Sequence, residues 1–214
     1  AARACVEAAA AGGVQRIVYL GGLGDDSPDL STHLRSRRET GEILAAGPVP
    51  ATTLRAAMIV GSQSASFRML RDLAERLPVM VAPRWVENRT QPIAYVDVRR
   101  YLVGVAAAPE TTGRSFDIGG PDVLTYREML RRTALLLGRR APLIIPVPLL
   151  SPTLSARWSG FVTGVDRSVA RPLIEGLRDE AVARGEAIRE LVPFERMGFD
   201  DAVRRALSGP PLPI

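Results

Sequence analysis

The chain alternates between segments with a helical pattern and short apolar runs that end in glycine. Residues 1–11 (AARACVEAAAA) have high helix propensity, and Gly12-Gly13 supplies a helix stop that tolerates a positive φ. The apolar run of residues 17–20 (IVYL) follows and ends at Gly21-Gly22. A continuous apolar run is typical of a strand buried on both faces of a parallel sheet. The alternation predicts an α/β domain with a mainly parallel, doubly wound sheet.

The same alternation continues along the chain. Further helices are predicted over residues 31–46, 66–77, 98–107, 125–138 and from about 198 onward, and further strands over 52–60, 91–95, 115–118 and 143–145. Asp97 is predicted to be an N-cap, and Thr125 and Glu128 have the spacing of a capping box. Residues 150–190 are predicted to be mostly helical, with these side chains to bury: Trp158, Phe161, Leu173, Ile174 and Leu177.

These elements predict a division of the chain into three parts. Residues 1–140 are expected to form the sheet domain, residues 141–208 a helix-rich cap or substrate subdomain, and residues 209–214 a linker or tail. The cap is expected at the carboxyl ends of the strands, where open α/β sheets bind their ligands. The first helical pattern begins without a capping residue and the chain begins with Ala1. We therefore expect further sequence upstream, including the first strands of the sheet.

The basic character of the chain comes entirely from arginine. All 28 residues counted as Lys or Arg are Arg, the net charge is only +5, and the sequence pI is about 10.3. Many arginines stand three or four residues from an acid, as Arg35 does from Glu39, which is typical of solvated helix faces with ion pairs. No basic run with interleaved aromatic residues is present. The sequence therefore argues against a nucleic-acid partner.

Cysteine, histidine and apolar runs limit the remaining classes of protein. Cys5 is the only cysteine, which rules out an internal disulfide and favours a cytoplasmic protein. His33 is the only histidine, so no metal site is predicted. The longest apolar candidate, residues 143–150, is interrupted by two prolines and is far shorter than the ~20 residues that span a bilayer.

Four segments, taken in order, resemble short-chain dehydrogenases/reductases of the extended and atypical branches. They are residues 14–22 (VQRIVYLGG), 54–61 (LRAAMIVG), 91–102 (QPIAYVDVRRYL) and 116–126 (FDIGGPDVLTY). No single motif is specific, but their order and spacing cover about residues 1–140. The chain looks most similar to NAD(P)H-binding proteins related to NmrA-like regulators and to the complex I accessory subunit of this fold. The resemblance implies a Rossmann-type sheet and NAD or NADP as cofactor.

The glycine-rich loop of that family, which places backbone amides against the cofactor pyrophosphate, is absent from the sequence. Gly21-Gly22-Leu23-Gly24 follows a strand, but Asp25-Asp26 would repel a phosphate. By resemblance, Leu20, Gly21 and Gly22 belong instead to the loop beside the nicotinamide, with glycine where the family has a catalytic hydroxyl. The resemblance also implies main-chain cofactor contacts from Ala56, Ala57 and Met58, although a plain buried strand explains these residues equally well.

The catalytic Tyr-x-x-x-Lys pair of the family is also absent, since the chain has no lysine. His33 and Arg37 match its positions and keep the spacing of four that places two side chains on one helix face. We interpret His33 as a proton donor near neutral pH and Arg37 as a fixed cation for a ribose or phosphate. A second alignment puts Leu34 and Arg38 there. Two solvated helix residues are a further alternative.

The family's substrate pocket is lined, by resemblance, at Phe67, Trp85, Asn88 and Arg89, although core packing is the simpler interpretation of Phe67 and Trp85. Two hypotheses follow. The first is an NAD(P)(H)-binding oxidoreductase or epimerase-like protein with non-standard catalytic residues. The second is a non-catalytic dinucleotide-binding redox sensor, regulator or structural subunit, which also fits the loss of the Tyr-x-x-x-Lys pair. The sequence does not decide between NAD and NADP.

Overall fold

A computed structural model describes residues 1–24, 30–147 and 180–209. Its helices are α1 (Ala2–Ala11), α2 (Thr32–Ala45), α3 (Ala65–Arg76), α4 (Tyr95–Ala107), α5 (Tyr126–Leu136), α6 (Ala187–Leu191) and α7 (Phe199–Ser208). Its strands are β1 (Ile17–Gly22), β2 (Ala51–Ala56), β3 (Ile59–Val60), β4 (Val79–Pro83), β5 (Arg89–Thr90), β6 (Ile93–Ala94), β7 (Ser115–Ile118), β8 (Leu124–Thr125) and β9 (Leu143–Val147). Short 3₁₀ turns lie at Arg84–Glu87 and Pro109–Thr111.

The central sheet is parallel and has the order β1-β2-β7 among the described strands. Gly22 lies opposite Ala56, and Ala56 lies opposite Ile118, so the carboxyl ends of all three strands meet at one edge. Each of these strands follows a helix in the chain, as α/β proteins require for a parallel connection. The α/β class and the mainly parallel arrangement predicted from the sequence are confirmed.

Three smaller ladders accompany the central sheet. β3 pairs with β6 and β4 pairs with β9, both in parallel, while β5 pairs antiparallel with β8. The β4–β9 pair joins residues on the two sides of position 140. The predicted division of the chain at that position stays a prediction.

Two clusters of buried side chains form the interior. One lies between the central sheet, α4 and α6, and has Leu54, Tyr101 and Val105 at its centre. The other is built from α3, α5, α7 and the β4–β9 pair around Phe67 and Met129. Each helix contributes the residues of one stripe, as amphipathic helices do. The first cluster supports the back of the central sheet and leaves its other face to α2.

Several local predictions are confirmed to within one or two residues. The helix predicted over 66–77 is α3, and the strand predicted over 115–118 is β7. Thr125 and Glu128 form the expected capping box at the start of α5. Gly198 is the residue before α7. These features depend on side chains three or four positions apart, so that the local sequence contains all of the required information.

Other predictions are wrong in detail. The strand predicted over 52–60 is two strands, β2 and β3, and the one predicted over 91–95 is the two-residue β6, since α4 already begins at Tyr95. β1 was expected to be buried on both faces, but all six residues are partly exposed because β1 pairs with β2 alone among the described strands. Residues 150–179, with Trp158 and the other predicted core side chains there, lie outside the described residues.

Asp97 is not the N-cap of α4. The residue before the helix is Ala94, which makes no side-chain cap, and Asp97 lies in the first turn. Its carboxylate is buried and accepts hydrogen bonds from the backbone N–H of Met197 at 2.7 Å and from Nη1 of Arg100 at 3.1 Å. A buried carboxylate needs such donors, and the main one is contributed by a distant part of the chain.

Candidate functional site

The carboxyl ends of β1 and β2 meet the first half of α2. Ser31 caps this helix by accepting a hydrogen bond from the backbone N–H of Leu34. α2 then lies so close to β1 that a Cβ atom at Gly22 would be 2.6 Å from Cδ2 of Leu34 and 4.0 Å from Cγ of Arg37. A side chain at position 22 would therefore displace the end of the Leu34 side chain. The strand end and the helix form one site at the sheet edge where α/β proteins bind ligands.

His33 and Arg37 lie one turn apart on α2, and the two side chains interact electrostatically. The pKa of His33 is lowered, first because the imidazole is partly buried and second because the Arg37 guanidinium repels its positive charge. His33 is therefore neutral at pH 7. A neutral imidazole accepts a proton, and the role of His33 as a proton donor stays a prediction.

Arg37 has an exposed side chain that makes no hydrogen bond or ion pair within the described part of the chain. It lines an open cavity of about 220 Å³ together with Leu34 and Arg38, the residues of the second alignment, whereas His33 is not part of the lining. The cavity is bounded by the following residues: Tyr19, Gly21, Gly22, Gly24, Leu30, Leu34, Arg37, Arg38, Gly41, Glu42, Ala45, Thr53, Arg55 and Ser115. Both alignments thus stay open, since Arg37 and Arg38 both line this cavity.

The segment from Ala56 to Met58 lies beside the glycine end of β1. The carbonyl oxygen of Ala56 accepts a hydrogen bond from the N–H of Leu23 at 2.8 Å, and that of Met58 accepts one from the N–H of Ile93 at 2.9 Å. Met58 is also part of the buried interior. These contacts hold the backbone of the segment in place, and its expected role in cofactor binding stays a prediction.

The four residues predicted to line a substrate pocket have different environments. Phe67 is fully buried in the second cluster, and Trp85 packs edge-on against Tyr126 with ring centroids 6.1 Å apart. Asn88 is half-buried, and Arg89 is exposed and paired with Glu180 at 3.0 Å. None of the four lines the cavity beside α2. Packing explains Phe67 and Trp85 without a ligand, and the substrate-lining role of all four stays a prediction.

Sequence reasoning missed an ion pair beside the cavity, between Arg55, which lines it, and the buried Asp117. Nε of Arg55 donates a hydrogen bond of 2.6 Å to Oδ1 of Asp117 across β2 and β7. The Asp117 side chain is 1% exposed, and its Oδ2 accepts a further hydrogen bond from the N–H of Arg184. A signal existed in the sequence, because alternate residues of both strands are polar and so share one face.

The residues at the end of β1 were compared with the needs of a dinucleotide. Gly21, Gly22 and Arg37 line one cavity and offer an open backbone and a cationic donor to a phosphate oxygen or a hydroxyl group, and their role in binding the nicotinamide end stays a prediction. In the described ranges, no glycine-rich turn lies between a strand and the N-terminus of a helix in the manner that holds a pyrophosphate.

No group of three side chains suited to a metal ion occurs in residues 1–24, 30–147 and 180–209. Within the same ranges, none of the helices has both the length and the apolar character needed to cross a membrane.

The fold is similar to solved structures at low sequence identity. A nucleoside-diphosphate-sugar epimerase from Staphylococcus aureus is 17% identical, with 95% of this chain and 69% of that chain covered and a TM-score of 0.71. An NADPH-dependent quinone oxidoreductase from Escherichia coli is 17% identical, with coverage of 97% and 73% and a TM-score of 0.73. Triphenylmethane reductase from Citrobacter sp., complexed with NADP(H), is 15% identical, with coverage of 96% and 70% and a TM-score of 0.70.

Sequence comparison adds nothing to this, since no family model and no curated protein matches the chain. Identities of 15–17% with TM-scores of 0.70–0.73 establish a common architecture. The chain therefore has the Rossmann-like α/β fold of these NADPH-dependent and NADP(H)-complexed reductases and of this nucleoside-diphosphate-sugar epimerase.

Proposed function

We propose that the chain is an NAD(P)(H)-binding relative of the short-chain dehydrogenases/reductases, and that it acts as an oxidoreductase or epimerase-like enzyme with non-standard catalytic residues. The observation that carries this proposal is the position of Arg37, a cation on α2 that lines the same cavity as Gly21 and Gly22 at the end of β1. Solved structures of the same fold contain NADPH, NADP(H), or NAD together with UDP-glucose. A bound dinucleotide would supply or accept the hydride.

Arg37 holds the ribose or a phosphate oxygen in this proposal. A guanidinium stays charged at any physiological pH and offers a planar pair of donors. Tyr19 supports the helix behind it, because its hydroxyl donates a hydrogen bond of 3.1 Å to the carbonyl oxygen of Arg37. This arrangement replaces the missing lysine as a binding group. It does not replace the family's tyrosine, for which His33 is the candidate.

His33 moves a proton in this proposal. In the direction of alcohol oxidation, the neutral imidazole takes the proton of the substrate hydroxyl group, and the carbon that bears this hydroxyl group loses a hydride. In the direction of carbonyl reduction, the imidazolium returns that proton to the carbonyl oxygen. The lowered pKa favours the first direction at neutral pH, because the imidazole is then already unprotonated.

Binding is tested by titrating the protein with NADH and NADPH and measuring nicotinamide fluorescence. Arg37→Ala is expected to weaken binding by roughly 10- to 100-fold, since a hydrogen bond to a charged group contributes about 1.5–3 kcal/mol. Arg131→Ala, at an exposed arginine of α5, is the matched control and should have no effect. If neither nucleotide binds, or if the two variants lose affinity equally, the proposal is wrong.

Turnover is tested separately, with quinones and other carbonyl compounds as acceptors and nicotinamide absorbance as the signal. His33→Ala should retain nucleotide binding and lose turnover. If the parent protein binds the nucleotide without turnover, and the substitution changes nothing, the second function is supported, namely a non-catalytic redox sensor, regulator or structural subunit. The replacement of Tyr-x-x-x-Lys by His33 and Arg37 is the observation that favours this alternative.

A cytoplasmic location is also proposed, on the basis that the chain has a single cysteine, Cys5, whose side chain is exposed. The proposed partners are a dinucleotide and a small molecule.

A further inference from the structure

The two faces of the central sheet differ sharply in polarity. The face toward α4 is apolar, with Leu54, Phe116 and Ile118 buried in the first cluster. The face toward α2 carries two rows across the three strands. The first row is Tyr19, Thr53 and Ser115, and the second is Gly21, Arg55 and Asp117. Parallel sheets in α/β proteins are normally apolar on both faces. The polar face therefore calls for a specific reason.

Two glycines shape the space between α2 and this polar face. Gly41 brings α2 down onto the first row, where a Cβ atom at position 41 would lie 3.6 Å from the Tyr19 ring and 3.8 Å from Cγ2 of Thr53. Gly21 presents no side chain in the second row, and its Cβ position lies 3.2 Å from the same ring. The cavity of about 220 Å³ lies between the helix and these strands.

The walls of this cavity offer donors to an anion. Arg55 lines the cavity, its guanidinium is held by the buried Asp117, and 41% of its side chain remains exposed. Arg38 lines the cavity from α2. Thr53 and Ser115 add hydroxyl groups that have no hydrogen-bond partner within the described part of the chain. Arginine forks and hydroxyls together are typical ligands of phosphate oxygens.

We propose that the cavity between α2 and the polar face of the sheet binds a small phosphorylated metabolite, with its phosphate group on Arg38 and Arg55 and the hydroxyls of Thr53 and Ser115. The volume is below the ~300 Å³ at which sites for drug-sized ligands begin, so the organic part of the ligand is small. The cavity extends from Gly21 and Gly22 at the end of β1, beside the proposed nicotinamide position, to Ser115 at the first residue of β7. This site goes beyond the proposed dinucleotide function and stands without it.

Glu42 makes the proposal sharply testable, since it is the one acid that lines the cavity within the described residues. A carboxylate in the wall repels an anion, and its removal should tighten binding. Glu39 lies on the same helix, is exposed and does not line the cavity, and it is therefore the matched control. A purely structural role for these side chains would not produce effects of opposite sign at positions 38 and 42.

The experiment is isothermal titration of the whole protein with inorganic phosphate, glycerol 3-phosphate and citrate. We expect one binding site, with a higher affinity for glycerol 3-phosphate than for inorganic phosphate. Both affinities should fall as salt is added, because salt screens the attraction between the anion and the arginines. Arg38→Ala and Arg55→Lys should weaken binding by tenfold or more, Thr53→Val by a few-fold, and Glu42→Gln should strengthen it by a few-fold. Glu39→Gln should leave it unchanged.

Arg55→Lys retains a cation beside the buried Asp117. If this variant binds glycerol 3-phosphate more weakly, the loss of affinity is therefore not caused by an unpaired buried carboxylate. Circular dichroism of each variant confirms the fold. If citrate binds with the same affinity as glycerol 3-phosphate, the cavity is a general anion site and not a phosphate site, and the proposal is overturned. The absence of any binding at millimolar concentration, or an equal effect of Glu42→Gln and Glu39→Gln, would also overturn it.

NADPH titration of the same variants separates this site from the dinucleotide site. Thr53→Val and Glu42→Gln should leave NADPH affinity unchanged while they alter the affinity for glycerol 3-phosphate. If NADPH fails to bind at all, the dinucleotide function is wrong and the anion site still stands. If NADPH and glycerol 3-phosphate affinities change in parallel and the two compete, the cavity is part of the dinucleotide site and the separate site is refuted.

Discussion

The carboxylate of Asp97 accepts a hydrogen bond of 2.7 Å from the backbone N–H of Met197, one hundred residues further along the chain. Asp97 is fully buried in the first turn of α4, and Met197 precedes α7 by two residues. This bond fixes the C-terminal segment against the central part of the fold. It also explains why an acid is found at a position that looked like a helix cap.

Asp97→Ala is expected to lower the free energy of unfolding by about 2–3 kcal/mol, because it removes a charged acceptor from two donors. Asp97→Asn retains one acceptor oxygen and should cost less. Asp201→Ala removes an exposed ion pair with Arg204 and should cost under about 0.5 kcal/mol. Urea denaturation measures all three. A loss for Asp97→Ala no larger than that for Asp201→Ala would contradict the structural role.

The only histidine of the chain gives a clean titration. Burial and Arg37 lower the pKa of His33 below its usual value of 6.5, so the folded state binds fewer protons than the unfolded state near that pH. Stability should therefore rise as the pH increases toward and through 6.5, and the slope should vanish in His33→Gln. Below the folded pKa both states are protonated and the slope disappears.

The cause of the shift is tested by NMR titration of the His33 ring protons. Arg37→Gln should raise the pKa toward 6.5 without reaching it, because burial is the larger cause. Arg35→Gln, two positions away on α2, should leave the pKa unchanged. A pKa at or above 6.5 in the parent protein would show that the imidazole is solvated as in the unfolded chain.

The capping box at α5 links helix stability to pH. The Thr125 backbone N–H and hydroxyl both donate to Glu128, which lowers the pKa of that carboxyl below its usual 4.5. The contribution of the ionised Glu128 is thus complete above pH 4.5 and is lost as the pH falls through the lowered pKa. Thr125→Ala should cost about 1 kcal/mol at neutral pH, as removal of an N-cap does.

Glu128→Gln provides the test of that pH dependence. Its amide retains an acceptor oxygen but has no charge to titrate, so its stability curve should be flatter than that of the parent protein between pH 3 and 5. Thermal unfolding followed by circular dichroism over this range gives both curves. Parallel curves would mean that the Glu128 carboxylate makes no pH-dependent contribution.

Gly104 on α4 is a point of close packing. A Cβ atom there would overlap with Cγ1 of Val192, the residue that follows α6. Gly104→Ala should therefore destabilise the fold by about 1–3 kcal/mol in spite of the better helix propensity of alanine. In the double variant with Val192→Ala, the overlap is relieved, and the loss should be smaller than the sum of the single losses. Additive losses would show that the two sites are independent.

The sequence by itself determined the local elements and the class of the fold. The apolar stripe of α3 and the spacing of Thr125 and Glu128 act over three to seven residues, and both were confirmed. Arg37 was singled out from sequence because it and His33 match the spacing of the family's Tyr-x-x-x-Lys pair, and its role stays a prediction. Its closeness to Gly22 required only that α2 follow β1, as the alternation of elements already implied.

The tertiary structure alone decided which polar groups meet. The donors to Asp97 and Asp117, at Met197 and Arg184, lie one hundred and 67 positions away, and no local pattern contains that information. The direction of the His33 pKa shift depends on burial, which a helical pattern does not give. The register of β1, β2 and β7 places their polar residues on one face, and the cavity lies between this face and α2. Register is set by packing over the whole sheet, because a shift of one residue moves every side chain to the opposite face.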